Sequence, residues 1–167
     1  EDVEYTARRF EQMVVGRIDE IKPHPRADRL RIASVSLGSR AEALVCGGSN
    51  LRQGMLVAVA LPGARLKVHG QGDSVILTAA EIRGVSSRGM ICASSEIGLA
   101  ELFPAESEAE IIDLSAWDEG QLSPGQPLAQ ALSMDDIVLD IDNKSLTNRP
   151  DLWGHYGMAR ELAAIYN

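Results

Sequence analysis

"VVGRIDEIKPHPRADRLRIASVSLG", residues 14–38, sets two apolar runs around a stretch of different character. Val14–Ile21 and Leu30–Leu37 are rich in Val, Ile and Leu, the composition of buried or half-buried strands. The connecting stretch 22–31 holds four basic residues, two prolines, His24 and Asp28. Pro23 and Pro25 fix the backbone there and predict a stiff, preformed turn. Alternation along Leu30–Leu37 is imperfect, as expected of a strand that bulges and coils around a barrel rather than lying in a flat sheet.

The pattern continues outward. Glu42–Cys46, Met55–Leu61, Val75–Ile82 and Met90–Ala93 are further short apolar runs, each bounded by Gly, Pro, Ser or Asn. Six short strands in so little chain are too few for a generous sandwich and fit a small closed or nearly closed barrel. "SSEIGL", 94–99, predicts a short helical turn after the last strand. Residues 100–126 are acidic and show no sustained period, reading as a connector with one short strand near Ile111–Leu114. Ile137–Ile141 is a further strand candidate. Leu152, Tyr156, Ala159, Ala163 and Tyr166 then recur at helical spacing, with Asp151 as the expected cap.

The chain of 167 residues carries a net charge of −8, with 45% apolar residues, as in ordinary globular proteins. The charge is divided. Residues 1–100 hold 13 Lys and Arg against 11 Asp and Glu, whereas residues 101–167 hold 3 against 13. No apolar stretch approaches the roughly 18–20 residues of a membrane span. The start, "EDVEYTARRF", reads as neither a signal peptide nor an initiator methionine, so a cytoplasmic segment of something longer is expected. Cys46 and Cys92 read as buried free thiols rather than a disulfide framework.

Catalytic signatures are missing. His24, His69, His155, Cys46 and Cys92 show no metal-ligand spacing. "SSRG" lacks the setting of a nucleophile elbow, and "GGSN" and "GQGD" lack the Lys and helix of a phosphate loop. Asp135, Asp136, Asp140 and Asp142 read as an acidic strand edge. No catalytic residue and no cofactor site is expected in this segment. The basic residues carry more information. Lys22, Arg26, Arg29 and Arg31 flank one turn, and Arg17, Arg65, Lys67, Arg83 and Arg88 lie at or near other strand ends. Arginine's planar fork suits phosphate, and barrels with cationic loops commonly bind nucleic-acid backbone. The alternative is a solvated surface whose arginines pair with Asp28, Glu20 and Glu81. Only Tyr5 and Phe10 are aromatic before residue 100, which favours recognition by shape and backbone over base-stacking platforms.

These segments resemble a known family. The 14–38 stretch with "LVCGGSN", "GMLVAVALPGARL" and "IRGVSSRGMICASSEIGL" is similar to the tRNA-binding OB domain. That domain recurs in free-standing tRNA-binding proteins, in methionyl-tRNA synthetase tails, in endothelial monocyte-activating polypeptides and in bacterial phenylalanyl-tRNA synthetase beta subunits. His24, Pro25, Ala27, Asp28 and Leu30 meet its HP-x-AD-x-L pattern; Arg83, Gly84, Ser87, Gly89, Met90 and Cys92 meet its RG-x-x-S-x-GM-x-C pattern. The C-terminal stretch, with Asn148–Asp151, Gly157, Ala159–Glu161 and Ala164, resembles the segment after the OB insertion in the beta subunits. Ser49 stands where the family commonly has proline in its Cys-Gly-Ala-Pro-Asn turn, and the first half of the composite domain would have to precede Glu1.

The resemblance implies a mainly β fold: a five-stranded OB-fold Greek-key barrel followed by a small α+β segment. It divides the chain into a lead-in (1–12), the OB domain (13–99), an acidic connector (100–126) and the returning half of a composite α+β domain (127–167). By position, the expected RNA-facing residues are Lys22, Arg26, Arg29, Asn50, Ser87, Arg88 and Met90, with Met90 weighed more toward core than contact. His24, Pro25 and Asp28 are expected to fix the turn, and Arg160 and Glu161 to pair with neighbours. The implied partners are tRNA and a synthetase alpha subunit, in a heterotetramer of two alpha and two beta subunits, with neither membrane nor DNA. ATP and magnesium would serve the parent ligase, with catalysis in the alpha subunit. A structural OB module without RNA contact and a free-standing tRNA-binding protein remain the alternatives.

Overall fold

The computed structural model describes residues 2–67, 70, 72–117 and 120–166. In chain order its strands are β1 (Asp2–Tyr5), β2 (Met13–His24), β3 (Ala27–Ser36), β4 (Ala41–Cys46), β5 (Leu56–Ala60), β6 (Arg65–Leu66), β7 (Val75–Ile76), β8 (Ala80–Ile82), β9 (Val85–Ser87), β10 (Met90–Ile91) and β11 (Ile137–Asp140). Two α-helices follow the barrel strands, α1 (Leu128–Ala131) and α2 (His155–Tyr166). The contacts divide the chain into two compact units, Tyr5–Asp136 and Glu1–Glu4 with Ile137–Asn167.

In the larger unit the strands pair antiparallel in the order β10-β5-β2-β3-β4. β4 returns beside β9 and β10, so the sheet curls on itself as an OB barrel. The curl has local causes. The β2–β3 register shifts between Ile18 and Glu20, and again between Pro23 and His24, bulges that bend and twist a strand. At Gly16, β2 passes so close to its neighbours that an added Cβ would lie 2.6 Å from Val35 Cγ1 and 2.7 Å from Val59 Cγ2. Only glycine lets the strand cross there.

β5 is buried along its whole length because it separates two cores. Val57 and Val59 join Ile18, Val35, Leu44 and Ile91 inside the barrel. Leu56, Ala58 and Ala60 join Phe10, Val15, Cys92, Leu114 and Leu128 outside it. The acidic connector supplies much of that outer layer: Ile112 and Leu114 are buried in it, while Ile111 reaches the inner core. The predicted strand at Ile111–Leu114 is not formed. Ile112 N donates to Cys92 O at 3.0 Å and Leu114 N to Leu56 O at 2.8 Å, so the segment bonds to two separate chain segments instead of one ladder. Residues 127–136 also pack with this unit, so the division falls between Asp136 and Ile137. Val15 N donates to Gln126 O at 2.9 Å, and Thr6 Oγ1 to Met134 O at 2.7 Å.

Val75–Ile82, read as one strand, is two short ones: β7 pairs with β6, and β8 pairs with β9. The turn at 94–99 is a 3-10 helix, Ser95–Ile97. In the smaller unit β1 pairs with β11. Helix α2 starts at His155, later than its spacing predicts, and Asp151 is not its cap. Asp151 instead lies in a 3-10 turn, Pro150–Leu152, where Arg149 Nη2 reaches it at 2.9 Å and Arg160 Nη2 at 3.4 Å. Glu161 pairs with Arg149 at 3.4 Å. Of the predicted helix face, Leu152 is buried but Tyr156 is 81% exposed. Among the described residues, no helix is long and apolar enough to cross a membrane.

Candidate nucleic-acid interface

The stiff turn between β2 and β3 is held by its histidine. His24 is buried; its Nδ1 accepts from Arg26 N at 3.1 Å, and its Nε2 faces Ile82 O at 3.2 Å. One neutral tautomer satisfies both contacts, with the proton on Nε2. The imidazole therefore clamps the turn against the β8–β9 hairpin. That hairpin turns on Arg83 and Gly84, with φ of +49° and +86°, the two left-handed residues of a type I′ loop. Gly84 leaves room for its neighbour: an added Cβ would lie 2.8 Å from Arg26 Nη1. Arg83 Nη1 in turn donates to Arg26 O at 3.4 Å. Two arginines from distant parts of the sequence are thus presented side by side.

The predicted contact residues separate into two groups. Lys22, Arg26, Arg29 and Arg88 are exposed. Lys22 pairs with Glu20 at 2.8 Å, on a surface where such a pair is readily exchanged for a phosphate. Arg26, Arg29, Arg31, Arg83 and Arg88 make no ion pair among the described residues, so the expected partners Asp28 and Glu81 leave them unneutralised. Asn50 and Ser87 are used internally. Asn50 Nδ2 donates to Ile111 O at 2.9 Å and its Oδ1 accepts from Ile111 N at 3.0 Å, tying the connector down. Ser87 is buried; its Oγ donates to Gly89 O at 2.9 Å and accepts from Val45 N at 3.2 Å, closing β9 onto β4. Met90 is half-buried and lines a cleft.

That cleft, of about 480 Å³, lies between the β8–β9 hairpin, the ends of β3 and β4, and the connector near Ala109. Leu30, Val45, Ile82 and Met90 give it apolar walls, and Glu96, Glu108 and Glu110 add carboxylates. Gly47 and Gly48 belong both to it and to a second groove of about 420 Å³ that contains Arg29 and Arg31. Arg31 was legible as one of the basic residues flanking the turn, and Arg83 only as a basic residue near another strand end; the two-residue hairpin spelled by Arg83-Gly84 was the available signal for it.

Cys46 and Cys92 are free and buried. Burial first, and then the nearby Glu96 carboxylate, push the Cys92 thiol far up; burial likewise raises Cys46 against a hydrogen bond from Gly48. Neither is a nucleophile at neutral pH. No group of three or more His, Cys, Asp or Glu among the described residues is placed to hold a metal ion, and His69 lies outside them.

Residues 13–116 match the family model described as "Putative tRNA binding domain". A phenylalanine–tRNA ligase beta subunit from Leptospira interrogans is 42% identical over 150 residues, covering 90% of this chain and 17% of the relative. One from a Synechococcus species is 40% identical over 166 residues, covering 99% and 19%. The chain thus spans less than a fifth of the length of these relatives. A methionyl-tRNA-synthetase-related protein from Pyrococcus horikoshii superposes with a TM-score of 0.47 at 16% identity, covering 70% of this chain and 88% of that one.

Proposed function

Because the chain belongs to the tRNA-binding domain family, we propose that its barrel contacts tRNA backbone through Lys22, Arg26, Arg29 and Arg88, joined by Arg83, as part of a phenylalanine–tRNA ligase beta subunit. The observation that carries this is the latched pair of loops in which His24 and Gly84 hold Arg26 and Arg83 together without acid partners. Preorganised guanidinium groups lose little entropy on meeting a phosphate. Asn50 and Ser87 shape the surface rather than touch RNA, and Met90 belongs to the adjoining cleft. The OB domain at 13–99, the connector and the returning segment at 127–167 would form one scaffold within that subunit.

The parent would join phenylalanine to its tRNA in the cytoplasm with ATP and magnesium, partnered by an alpha subunit in a heterotetramer. Matches along nearly the whole chain to beta subunits support this reading. ATP and magnesium would be held outside this segment. The test is fluorescence anisotropy of the chain against labelled tRNA from low to physiological salt, with duplex DNA as control. Saturable binding that prefers tRNA is expected. Replacing Arg26 and Arg29 together with Ala should flatten the salt dependence by about two phosphate equivalents. An unchanged slope rejects these arginines as phosphate contacts.

A further inference from the structure

Backbone contact accounts for the arginines but not for the cleft beside them. Its volume of about 480 Å³ falls in the range of roughly 300–1,000 Å³ typical of small-ligand pockets. We infer that this cleft receives one unpaired nucleobase, guanine preferred, from the RNA whose phosphates rest on the neighbouring arginines. The inference rests on the tRNA-contact reading above and adds a base-reading site to it.

Three features converge. The walls made by Leu30, Val45, Ile82 and Met90 are apolar, suited to the faces of a flat heterocycle inserted between them. Arginines lie next to the cleft. Ile82 is held to His24 beside Arg26 and Arg83, while Gly47 and Gly48 open onto the groove of Arg29 and Arg31. An RNA strand reaching the cleft meets guanidinium groups beside it.

The carboxylates then decide which part of the nucleotide enters. Glu96 and Glu110 are half-buried in the lining, and each is oriented by a backbone N–H. Ala93 N donates to Glu96 Oε2 at 2.8 Å, and Glu106 N donates to Glu110 Oε2 at 2.9 Å. Each keeps its other oxygen, and the second lone pair of the bonded one, as acceptors. A carboxylate repels phosphate, so a groove built only for backbone gains nothing from them. It accepts hydrogen bonds from base N–H groups, and guanine alone places two adjacent donors, N1–H and N2–H, to match the two oxygens of one carboxylate.

The experiment uses the full chain with two probes, r(UUGUU) and r(UUUUU), read by anisotropy and by the Met90 methyl signal in NMR. The guanine oligonucleotide should bind about fivefold tighter or more, the discrimination one bidentate contact supplies, and should move the Met90 methyl. Glu110→Gln should reduce that preference. Ala80→Trp, at an exposed lining position, should fill the cleft and abolish the preference while leaving the salt slope of tRNA binding unchanged. Equal affinities with an unmoved Met90 methyl and intact tRNA binding would overturn the base site and spare the backbone reading. A Met90 response to a basic leucine-containing peptide, with none to r(UUGUU), would also overturn it. Loss of all tRNA binding would overturn both.

Discussion

In the Tyr5–Asp136 unit the apolar strand residues are enclosed twice, inside the barrel and beneath the connector. In the other unit β11 opens with Ile-Val-Leu, residues as apolar as those of β5, before Asp140, yet every residue of it is exposed, Leu139 at 54%. Trp153 in the same unit is 71% exposed. The strands have similar composition and different neighbours. β5 has a strand on each side and a core on each face, whereas β11 pairs in a two-stranded ribbon, an arrangement with marginal stability of its own. Apolar sequence marks what can be buried; a second layer decides what is.

Two residues of equal chemistry sharpen this contrast most. Leu114 is fully buried beneath the barrel, and Leu114→Ala should cost about 3 kcal/mol through lost transfer energy and the cavity left behind. Leu139→Ala should change stability by less than about 0.5 kcal/mol. Each unit holds one tryptophan, Trp117 and Trp153, so urea unfolding followed in Trp153→Phe and Trp117→Phe backgrounds reports the two units separately. Equal shifts for the two leucine variants would erase the distinction.

Gly16→Ala tests how tightly the barrel is wound. Its new methyl would meet Val35 and Val59 at distances real Cβ atoms essentially never show, so both valines must give way. A loss of about 2 kcal/mol in the Trp117 transition is expected from overpacking. Gly16→Ala with unchanged stability would mean that the crossing of β2 with β3 and β5 has room to spare.

How much of this was legible depends on the range of the interactions. β2, β3, β4 and β5 were visible because apolar composition and turn residues are local; β2 and β4 run beyond their predicted spans, β3 starts earlier and ends one residue sooner, and β5 is one residue shorter at each end. The turn-fixing role of His24 was legible for the same reason, since its Arg26 contact is two residues away. The internal bonds of Asn50 were not legible because its partner, Ile111, is 61 residues distant; a polar residue in an exposed-looking turn gave no hint that both its amide groups serve a remote backbone. The bond of Ser87 to Val45 was hidden in the same way. The connector hid its role because its acidic residues dominate its composition, while the Ile112 and Leu114 side chains form the underside of the barrel and Ile111 reaches its inner core. The face of α2 misled because helical spacing identifies a stripe and not what covers it.

Asn50→Ala should therefore act on the connector rather than on RNA. It leaves Ile111 N–H and C=O without their partners, at a cost of about 1–2 kcal/mol. Hydrogen exchange should show the Ile111 and Ile112 amides losing protection. tRNA affinity in anisotropy should stay within twofold of the parent chain, roughly the effect of a few tenths of a kcal/mol. A large affinity loss with unchanged exchange would return Asn50 to the contact surface.

The smallest effect concerns acid. Asp113 lies on the connector, where Arg52 Nη2 reaches its Oδ2 at 2.5 Å and Ser115 N donates to its Oδ1 at 2.9 Å. Partial burial pushes its pKa up, but the hydrogen bonds from Ser115 and the Arg52 pair together outweigh this and hold the carboxyl below its ordinary value. A folded-state pKa below the unfolded one means the unfolded chain binds the proton more readily in that window. The stabilisation is thus fully present above the unfolded value of about 3.9 and is lost as pH falls through the folded value. Because the pair is partly open to solvent, its weight is below about 1 kcal/mol. Asp113→Asn should lower stability slightly at neutral pH and flatten the acid limb of the Trp117 transition. An Asp113→Asn acid limb as steep as the parent's would show that other carboxylates carry the acid sensitivity of the barrel, and that the connector is held by its apolar underside and Asn50 alone.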